Sequence, residues 1–404
     1  MPKTAFQPTS AEFLANPYPA YAELRRDAPI FFYEPWNKWI VTRYEDVDTL
    51  LRDRRLGRVL HNVSENALAE HFSEHEASYE LSRVGSLLEI EPPDHTRIRD
   101  VFHQTFTPKR VRTLSASIEG LCERLAGNLL ARREREADLI SDFAQTIPVT
   151  VIADLLGVPE LDRHRLVPWS TGMIGWFEPE RTPDMEHEAV RCAQEFMAYL
   201  HGLIEQKRAV PTEDLLSAMV AVHDAEPARL SEQELINNCI LLLNAGHEAV
   251  VNVIGNGMFA LLRYPEAWER LKAEPDLIPS AVEEAMRFDT PLQFFERYVL
   301  EDLHYKGVDW PRGTGLCLYY ASANHDPAVF HNPEAFDITR NPNPHLAFGR
   351  GLHYCIGAPL ARLELAAALK TLVTRLPGLE LADAAPDYYP KNVFRYLKAL
   401  SVKY

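Results

Sequence analysis

The sequence predicts a mostly α-helical fold with a small β-rich lobe. Amphipathic helical patterns with charged outer faces occupy residues 111–156 and 185–207. A third pattern begins at the capping box Ser231-Glu232-Gln233-Glu234 and continues without a proline to Tyr264. The β-favouring runs are few and short, and they lie in residues 30–33, 39–42, 292–299, 392–394 and 400–402.

The composition excludes several classes of protein. The chain has 404 residues, of which 46% are hydrophobic and 25% charged, as is ordinary for a soluble globular protein. No run of about 18 apolar residues is present, so we expect no transmembrane segment. With 58 acidic and 42 basic residues the net charge is −16, which argues against nucleic acid as a partner. The first residues lack an apolar signal core and the five cysteines are scattered, which predicts a cytoplasmic protein without disulfides.

The N-terminal part of the chain alternates between helix and strand. Residues 18–26 have helical spacing, residues 30–33 and 39–42 form a predicted hairpin, and residues 44–52 return to helix. Residues 61–86 are polar and weakly patterned, which predicts a long loop of the kind that often serves as a lid. The helical scaffold begins after this loop.

Residues 169–177 carry large apolar side chains among glycines. This composition is compatible with a loop tucked under the core and with a lid over an apolar pocket.

The long helix that begins at Ser231 would extend about 45–50 Å, and its middle, residues 239–243, is apolar on every side. Gly246 interrupts that run, and a glycine inside a helix permits another group to approach the backbone closely.

A pair of cationic side chains begins another helix. Asp94 can cap this helix, and His95 and Arg99 then fall four residues apart on one face. Two adjacent cations repel each other unless an anion lies between them. By itself, this pair of residues indicates a solvated helix face.

The segment from Phe348 to Gly357 has the form of a ligand loop. Gly349 and Gly351 allow tight backbone geometry, and the loop presents one thiol, Cys355, just before a predicted helix. Free N–H groups and the helix dipole favour a thiolate there, and a single soft sulfur suits haem iron. Zinc would need about three or four Cys or His ligands, and no C-x-x-C spacing occurs. A lone cysteine beside glycines is otherwise an inert core residue.

The complete pattern F-G-x-G-x-H-x-C-x-G closely resembles the haem-ligand loop of the cytochrome P-450 superfamily, in which the cysteine is the proximal iron ligand. The resemblance implies the mostly helical haem-thiolate fold and haem b as the cofactor, with no other metal. It also implies that the H-x-x-x-R helix, Arg297 and the loop histidine bind haem propionates. The residues expected at the cofactor are His95, Arg99, Ala245, Gly246, Arg297, Phe348, Gly349, His353, Cys355 and Gly357. Without the resemblance, Arg297 is equally compatible with a surface arginine on a half-buried strand.

A structural triad is also implied. Ser280 and Glu283 read as a second capping box, which leaves Glu284 free for another task. Glu284 and Arg287 match the family's E-x-x-R pair, and Arg340 matches its third member within P-x-x-F-x-x-x-R. This buried ion cluster is expected to hold the loop that carries Cys355.

Ala245-Gly246-His247-Glu248 resembles the superfamily's oxygen-binding groove, in which the acid supplies protons. The chain departs from the family at the next position, where Ala249 replaces a common threonine that helps to deliver protons. Asn244 either holds a polar substrate group or a relay water, or it bonds to a neighbouring backbone carbonyl. The candidate substrate-pocket residues are Asn244, Ala249, Phe294, Phe295 and Phe394.

The implied reaction is insertion of one oxygen atom from dioxygen into a lipophilic small molecule. We expect residues 1–404 to form a single monooxygenase domain, so electrons come from a separate ferredoxin or flavodoxin with an NAD(P)H reductase. Two alternatives stay open, namely oxidative coupling or peroxide-driven oxidation on the same haem, and a non-catalytic haem-binding sensor or carrier.

Overall fold

Helices form most of the protein. The computed structural model describes residues 6–58, 85–105 and 108–404. The helices of this part are α1 Ala11–Ala15, α2 Tyr18–Asp27, α3 Tyr44–Arg52, α4 Asp94–Thr105, α5 Pro108–Leu130, α6 Thr146–Leu156, α7 Leu166–Ile174, α8 Pro183–Ala209, α9 Leu215–Ala225, α10 Glu232–Arg263, α11 Pro265–Ala273, α12 Ile278–Phe288, α13 Tyr320–Ala323 and α14 Ala358–Arg375. The long loop predicted over residues 61–86 lies outside the described residues except for its last two positions.

The strands are short and form three sheets. They are β1 Ile30–Tyr33, β2 Lys38–Val41, β3 Leu56–Gly57, β4 Glu136–Asp138, β5 Phe295–Val299, β6 Leu303–Tyr305, β7 Val308–Trp310, β8 Gly315–Leu318, β9 Glu380–Leu381 and β10 Ser401–Lys403. The largest sheet has the order β1-β2-β8-β5-β3, the second has the order β4-β10-β9, and β6 pairs with β7. The predicted N-terminal hairpin is confirmed, since β1 and β2 are antiparallel with Ile30 opposite Val41.

The helix α10 is the centre of the fold. Its capping box is confirmed, because Ser231 accepts from the Glu234 N–H while the Glu234 side chain accepts from the Ser231 N–H. Its 32 residues run unbroken through Gly246. It packs against α6, α7, α8, α9, α12 and α14, which explains its apolar middle. Within the described ranges, no helix is long and apolar enough to cross a membrane.

Two predicted elements differ from the observed ones because tertiary contacts outweigh local pattern. The helical pattern over residues 111–156 is interrupted by β4, which pairs with β10 from the far end of the chain. The sequence of residues 169–177 is compatible with a loop under the core or a lid over a pocket, and the structure forms α7 and a 3₁₀ turn there. Trp169 and Met173 bury one face of α7, and a side chain at Gly172 would collide with Cys192 of α8. The glycine therefore serves close helix packing.

The C-terminal strand prediction is partly correct. Residues 400–402 correspond to β10, but residues 392–394 form no strand, and Phe394 makes only an isolated bridge with Leu292. Leu292 itself precedes β5, which begins at Phe295. The predicted strand over residues 292–299 is therefore shorter than its alternating pattern suggests.

Candidate active site

The loop before α14 has the predicted tight geometry. Gly349 and Gly351 have φ angles of +66° and +70°, in the left-handed region that favours glycine. A side chain at Gly351 would also collide with the backbone carbonyl of Leu51. The Cys355 N–H donates to the Phe348 carbonyl at 3.0 Å, which closes the loop. The helix α14 then begins at Ala358, so Cys355 lies at a helix N-terminus as expected.

The Cys355 thiol lines an internal space. Its side chain is exposed, yet burial raises the pKa of the thiol. An exposed group that lies deep among protein atoms faces a space inside the molecule. The Gly357 and Ala358 amides and the Arg99 guanidinium lower the thiol pKa, in the direction expected at a helix N-terminus, but burial outweighs them. A bound metal cation would supply the missing stabilisation of the thiolate.

Four cysteines other than Cys355 are buried, and all five are free. Burial raises the pKa of Cys122 and of Cys239 to about 12. These thiols have the properties of core residues. Cys355 differs from them because it is exposed and has backbone donors directed at its sulfur.

His95 on α4 is fully buried, and neither ring nitrogen has a hydrogen-bond partner within the described residues. Burial, with His353 and Arg99 nearby, lowers its pKa to about 4. Arg99 donates to the carbonyls of Leu352 at 3.1 Å and Tyr354 at 2.9 Å, so it also holds the cysteine loop. The solvated-face alternative is therefore wrong for His95. A buried ring with both nitrogens unpaired fits an anionic partner such as a propionate.

Arg297 on β5 is also buried, so the surface-arginine alternative is wrong. Burial lowers its pKa, Tyr320 and Glu91 oppose that shift, and its Nη1 donates to the Glu296 carbonyl at 2.9 Å. A buried guanidinium needs anionic partners, and a propionate would add one to Glu91. The neighbouring His353 lies with Nε2 at 3.2 Å from both oxygens of Glu91. Together with Cys355 and His95, these groups fit haem.

Two charged residues of this region were not predicted. Glu91 accepts from the Arg58 backbone N–H at 2.7 Å while it contacts His353. The Arg58 guanidinium is buried and lies 3.6 Å from the centre of the Phe295 ring. Glu91 is adjacent to the predicted helix cap, but no local pattern identifies His353, 262 positions away, as its partner.

The middle of α10 borders a space inside the protein at Ala245. This residue is exposed although the helix around it is largely buried, so Ala245 borders an internal space as Cys355 does. The Cβ position of Gly246 instead faces α6, where an added carbon would lie 2.6 Å from Cδ1 of Ile152. The group that approaches Gly246 is therefore a neighbouring helix.

Asn244 and Glu248 face α7 from adjacent turns of α10. The Asn244 amide nitrogen contacts the Met173 sulfur at 3.7 Å, and its Oδ1 is buried without a partner in the described residues. The alternative in which Asn244 bonds to a backbone carbonyl is therefore wrong. Glu248 accepts from Thr171 Oγ1 at 2.9 Å, and burial raises the pKa of its carboxyl. Ala249 beside it is half-buried and offers no hydroxyl.

The aromatic pocket candidates lie in different surroundings. Phe294 is buried against Tyr319, with ring centres 4.7 Å apart, and its other neighbour is Trp36. Its ring belongs to the aromatic core. Phe295 lies under the Arg58 guanidinium, and Phe394 faces Phe177 at 6.4 Å. Phe394 is half-buried, so it is better placed than Phe294 to contact a ligand.

The triad forms the predicted contacts. Arg287 Nη2 lies 2.8 Å from Glu284 Oε1, and Arg340 Nε lies 3.1 Å from Glu284 Oε2. The second capping box is wrong, because Ser280 lies inside α12 and its hydroxyl donates to the carbonyls of Leu277 and Ile338.

Glu283 is not part of a capping box. It pairs instead with α14 and with the segment just before the cysteine loop. It accepts from Arg362 at 2.6 Å, and one of its oxygens lies 3.0 Å from His345 Nε2. These partners outweigh burial and lower its pKa to about 2. A second ion cluster therefore supports the segment that carries Cys355.

Comparisons with known proteins agree with this geometry. The sequence model of the family described as Cytochrome P450 matches residues 176–377. The Bacillus subtilis protein named Polyketide biosynthesis cytochrome P450 PksS is 38% identical over 412 residues, which cover 100% of this chain and 99% of that protein. Cytochrome P450 monooxygenase PikC of Streptomyces venezuelae is 37% identical over 400 residues, with coverage of 97% and 92%. The solved structure of P450BioI in complex with hexadec-9Z-enoic acid ligated Acyl Carrier Protein has a TM-score of 0.90 at 36% identity, and it covers 98% of this chain and 100% of that chain.

Proposed function

Because the chain belongs to the cytochrome P450 family of haem monooxygenases, we propose that Cys355 holds haem b and that the enzyme inserts one atom of dioxygen into a lipophilic small molecule. The observation that carries this assignment is the exposed Cys355 thiol inside the protein, with the first amides of α14 directed at its sulfur. When bound, haem supplies the redox chemistry of dioxygen activation, and a thiolate ligand favours O–O cleavage.

The remaining cofactor contacts follow from the histidines and arginines that lie near Cys355. We propose that His95 and Arg99 bind one propionate and that Arg297 and His353 bind the other. The buried, unpartnered ring of His95 and the burial of Arg297 support this assignment. Phe348, Gly349 and Gly357 shape the loop, and Ala245 borders the space above the cofactor plane.

The polar residues of α10 then define what the pocket accepts. The buried Oδ1 of Asn244 needs a hydrogen-bond donor, and a substrate hydroxyl or a water held by a substrate carbonyl would supply one. Glu248 holds and passes the proton, while Ala249 contributes no hydroxyl. We therefore propose that the substrate is a largely apolar molecule that bears an oxygen function near Asn244.

The relatives support the same substrate class. One is named for polyketide biosynthesis, and a solved relative binds an acyl chain attached to a carrier protein. Long, mostly apolar chains with oxygen substituents fit the surroundings of Asn244 and Phe394. We also propose that residues 1–404 act as a single domain and receive electrons from a separate ferredoxin or flavodoxin with its NAD(P)H reductase.

The substitution Cys355→Ser tests the iron ligand. We expect the reduced carbon-monoxide complex to lose its thiolate-specific absorption while the protein stays folded and keeps some haem. Cys122→Ser is the matched control, because Cys122 is buried on α5, and it should keep the spectrum. A thiolate spectrum in Cys355→Ser would show that another residue is the axial ligand.

The activity itself is tested with a library of lipophilic compounds. Compounds that shift the haem spin state are incubated with a ferredoxin system and NAD(P)H, and separately with peroxide. Product with the ferredoxin system supports monooxygenation. Product with peroxide alone would favour peroxide-driven oxidation, and tight binding without product would favour a sensor or carrier.

A further inference from the structure

A polar seam joins α7 to α10 beside Ala249. Three side chains of one helix each contact one side chain of the other: Ser170 with His247 at 3.1 Å, Thr171 with Glu248 at 2.9 Å, and Met173 with Asn244 at 3.7 Å. The seam contains both residues of α10 to which the proposed function assigns a polar role. The position of α7 therefore determines how these side chains are oriented.

Thr171 is the single hydrogen-bond partner of the Glu248 carboxyl within the described ranges. His247 Nδ1 lies 3.6 Å from the same oxygen, which is beyond hydrogen-bond distance. Because the hydroxyl donates to Oε1, the proton of a neutral Glu248 carboxyl lies on Oε2. Thr171 is exposed whereas Glu248 is buried, so the hydroxyl lies between the buried acid and the space that Thr171 faces.

We propose that Thr171 supplies, from α7, the hydroxyl that position 249 of α10 lacks, and that it positions Glu248 for proton delivery. The inference rests on the proposed monooxygenase function. Glu248 releases the proton on Oε2 toward the substrate side. The Thr171 hydroxyl then gives its proton to Oε1 and takes one from water, and rotation of the carboxyl group exchanges the two oxygens and restores the starting state. Each proton delivered is replaced by one from solvent, so no net charge accumulates in the buried site.

The first test measures the carboxyl without turnover. Infrared titration of the haem-loaded enzyme follows the neutral carboxyl band that Glu248→Gln removes. A hydroxyl that donates to a carboxylate favours the charged form, so Thr171→Val should raise the pKa of Glu248 by roughly 1. Thr171→Ser should restore the wild-type value. The titratable groups nearest to Glu248, His247 and Tyr396, are unchanged in these variants.

The second test measures proton delivery with the library compound that gives the largest spin-state shift. Thr171→Val should lower product formed per NAD(P)H consumed several-fold and increase the solvent deuterium isotope effect, while Thr171→Ser keeps both near wild type. Ser170→Ala is the matched control, since it removes the adjacent contact with His247 and leaves Thr171 in place. Valine is isosteric with threonine and Thr171 is exposed, so Thr171→Val and Thr171→Ser should fold.

The outcomes separate this inference from the function on which it rests. An unchanged Glu248 pKa in Thr171→Val would overturn the inference, and so would a changed pKa with unchanged product per NAD(P)H. Absence of product in the wild type, with the ferredoxin system and across the library, would count against the proposed function. In that case the infrared titration still decides whether Thr171 holds the acid.

Discussion

Removing the charge of Glu284 should destabilise the protein more than any comparable surface change. This carboxyl is fully buried, and so is its partner Arg287. Its hydrogen-bond donors are Arg287 Nε and Nη2 at 2.8 Å, Asp337 N at 2.9 Å, Arg340 Nε at 3.1 Å and Asn343 Nδ2 at 3.1 Å. Glu284→Gln keeps the shape of the side chain but leaves two guanidinium groups without a counter-ion.

The size of the effect follows from burial. Breaking a buried ion pair by neutralising one member typically costs about 3–5 kcal/mol, because the remaining charge stays desolvated. Arg287 cannot turn to water, since its other donors already bind the carbonyls of Asn324, Pro333 and Ala335. These contacts join α12 to the segment that precedes the Cys355 loop, so we also expect weaker haem retention.

The assay is urea unfolding of the haem-loaded protein, followed by tryptophan fluorescence and by the haem absorption. Glu188→Gln is the matched control, because Glu188 and Arg191 have the same i,i+3 spacing and an Nη2–Oε1 distance of 2.6 Å, but are 48% and 52% exposed. Solvent screening makes such a pair contribute little, so the control should unfold with the wild type. Equal unfolding midpoints for the two variants would refute the argument from burial.

Three further predictions concern the cofactor, pH and the substrate. Arg297→Ala should speed transfer of haem to an acceptor protein about 10–100-fold, because it removes a charge-assisted hydrogen bond worth roughly 1.5–3 kcal/mol, whereas the exposed Arg26→Ala should not. Unchanged transfer would return Arg297 to a structural role. Burial raises the pKa of Glu364 to about 8, above its unfolded value, so its contribution to stability is present at low pH and is lost as the pH rises from about 4.5 to 8. Glu364→Gln should therefore flatten the fall in urea stability over that range, by at most about 1.4 kcal/mol per pH unit, and parallel curves would contradict this. If a substrate oxygen replaces the missing hydroxyl, an analogue without that oxygen should give less product per NAD(P)H, and Ala249→Thr should improve it. An analogue that couples as well as the parent, with no gain from Ala249→Thr, would exclude substrate assistance.

Features encoded by residues close together in the chain could be predicted from the sequence. The capping box and the proline-free run predicted α10, and the glycines around Cys355 predicted a loop that only positive φ angles allow. The spacing of His95 and Arg99 predicted that both residues lie on one face of α4. In each case the chemistry depends on a few neighbouring residues, so local spacing contains the information.

The tertiary structure decided which distant residues meet. Thr171 and Glu248 are 77 positions apart, Glu283 and Arg362 are 79 apart, and Glu91 and His353 are 262 apart. Helical periodicity shows which face of a helix is polar but not which side chain will meet it, so none of these pairs was predicted. The same reason applies to Gly172 of α7 and to Gly246 of α10. These two glycines make room for Cys192 and Ile152 on neighbouring helices. Burial also depends on the whole fold, and it leaves both ring nitrogens of His95 and the Oδ1 of Asn244 without hydrogen-bond partners inside the described protein and thus able to bind cofactor and substrate.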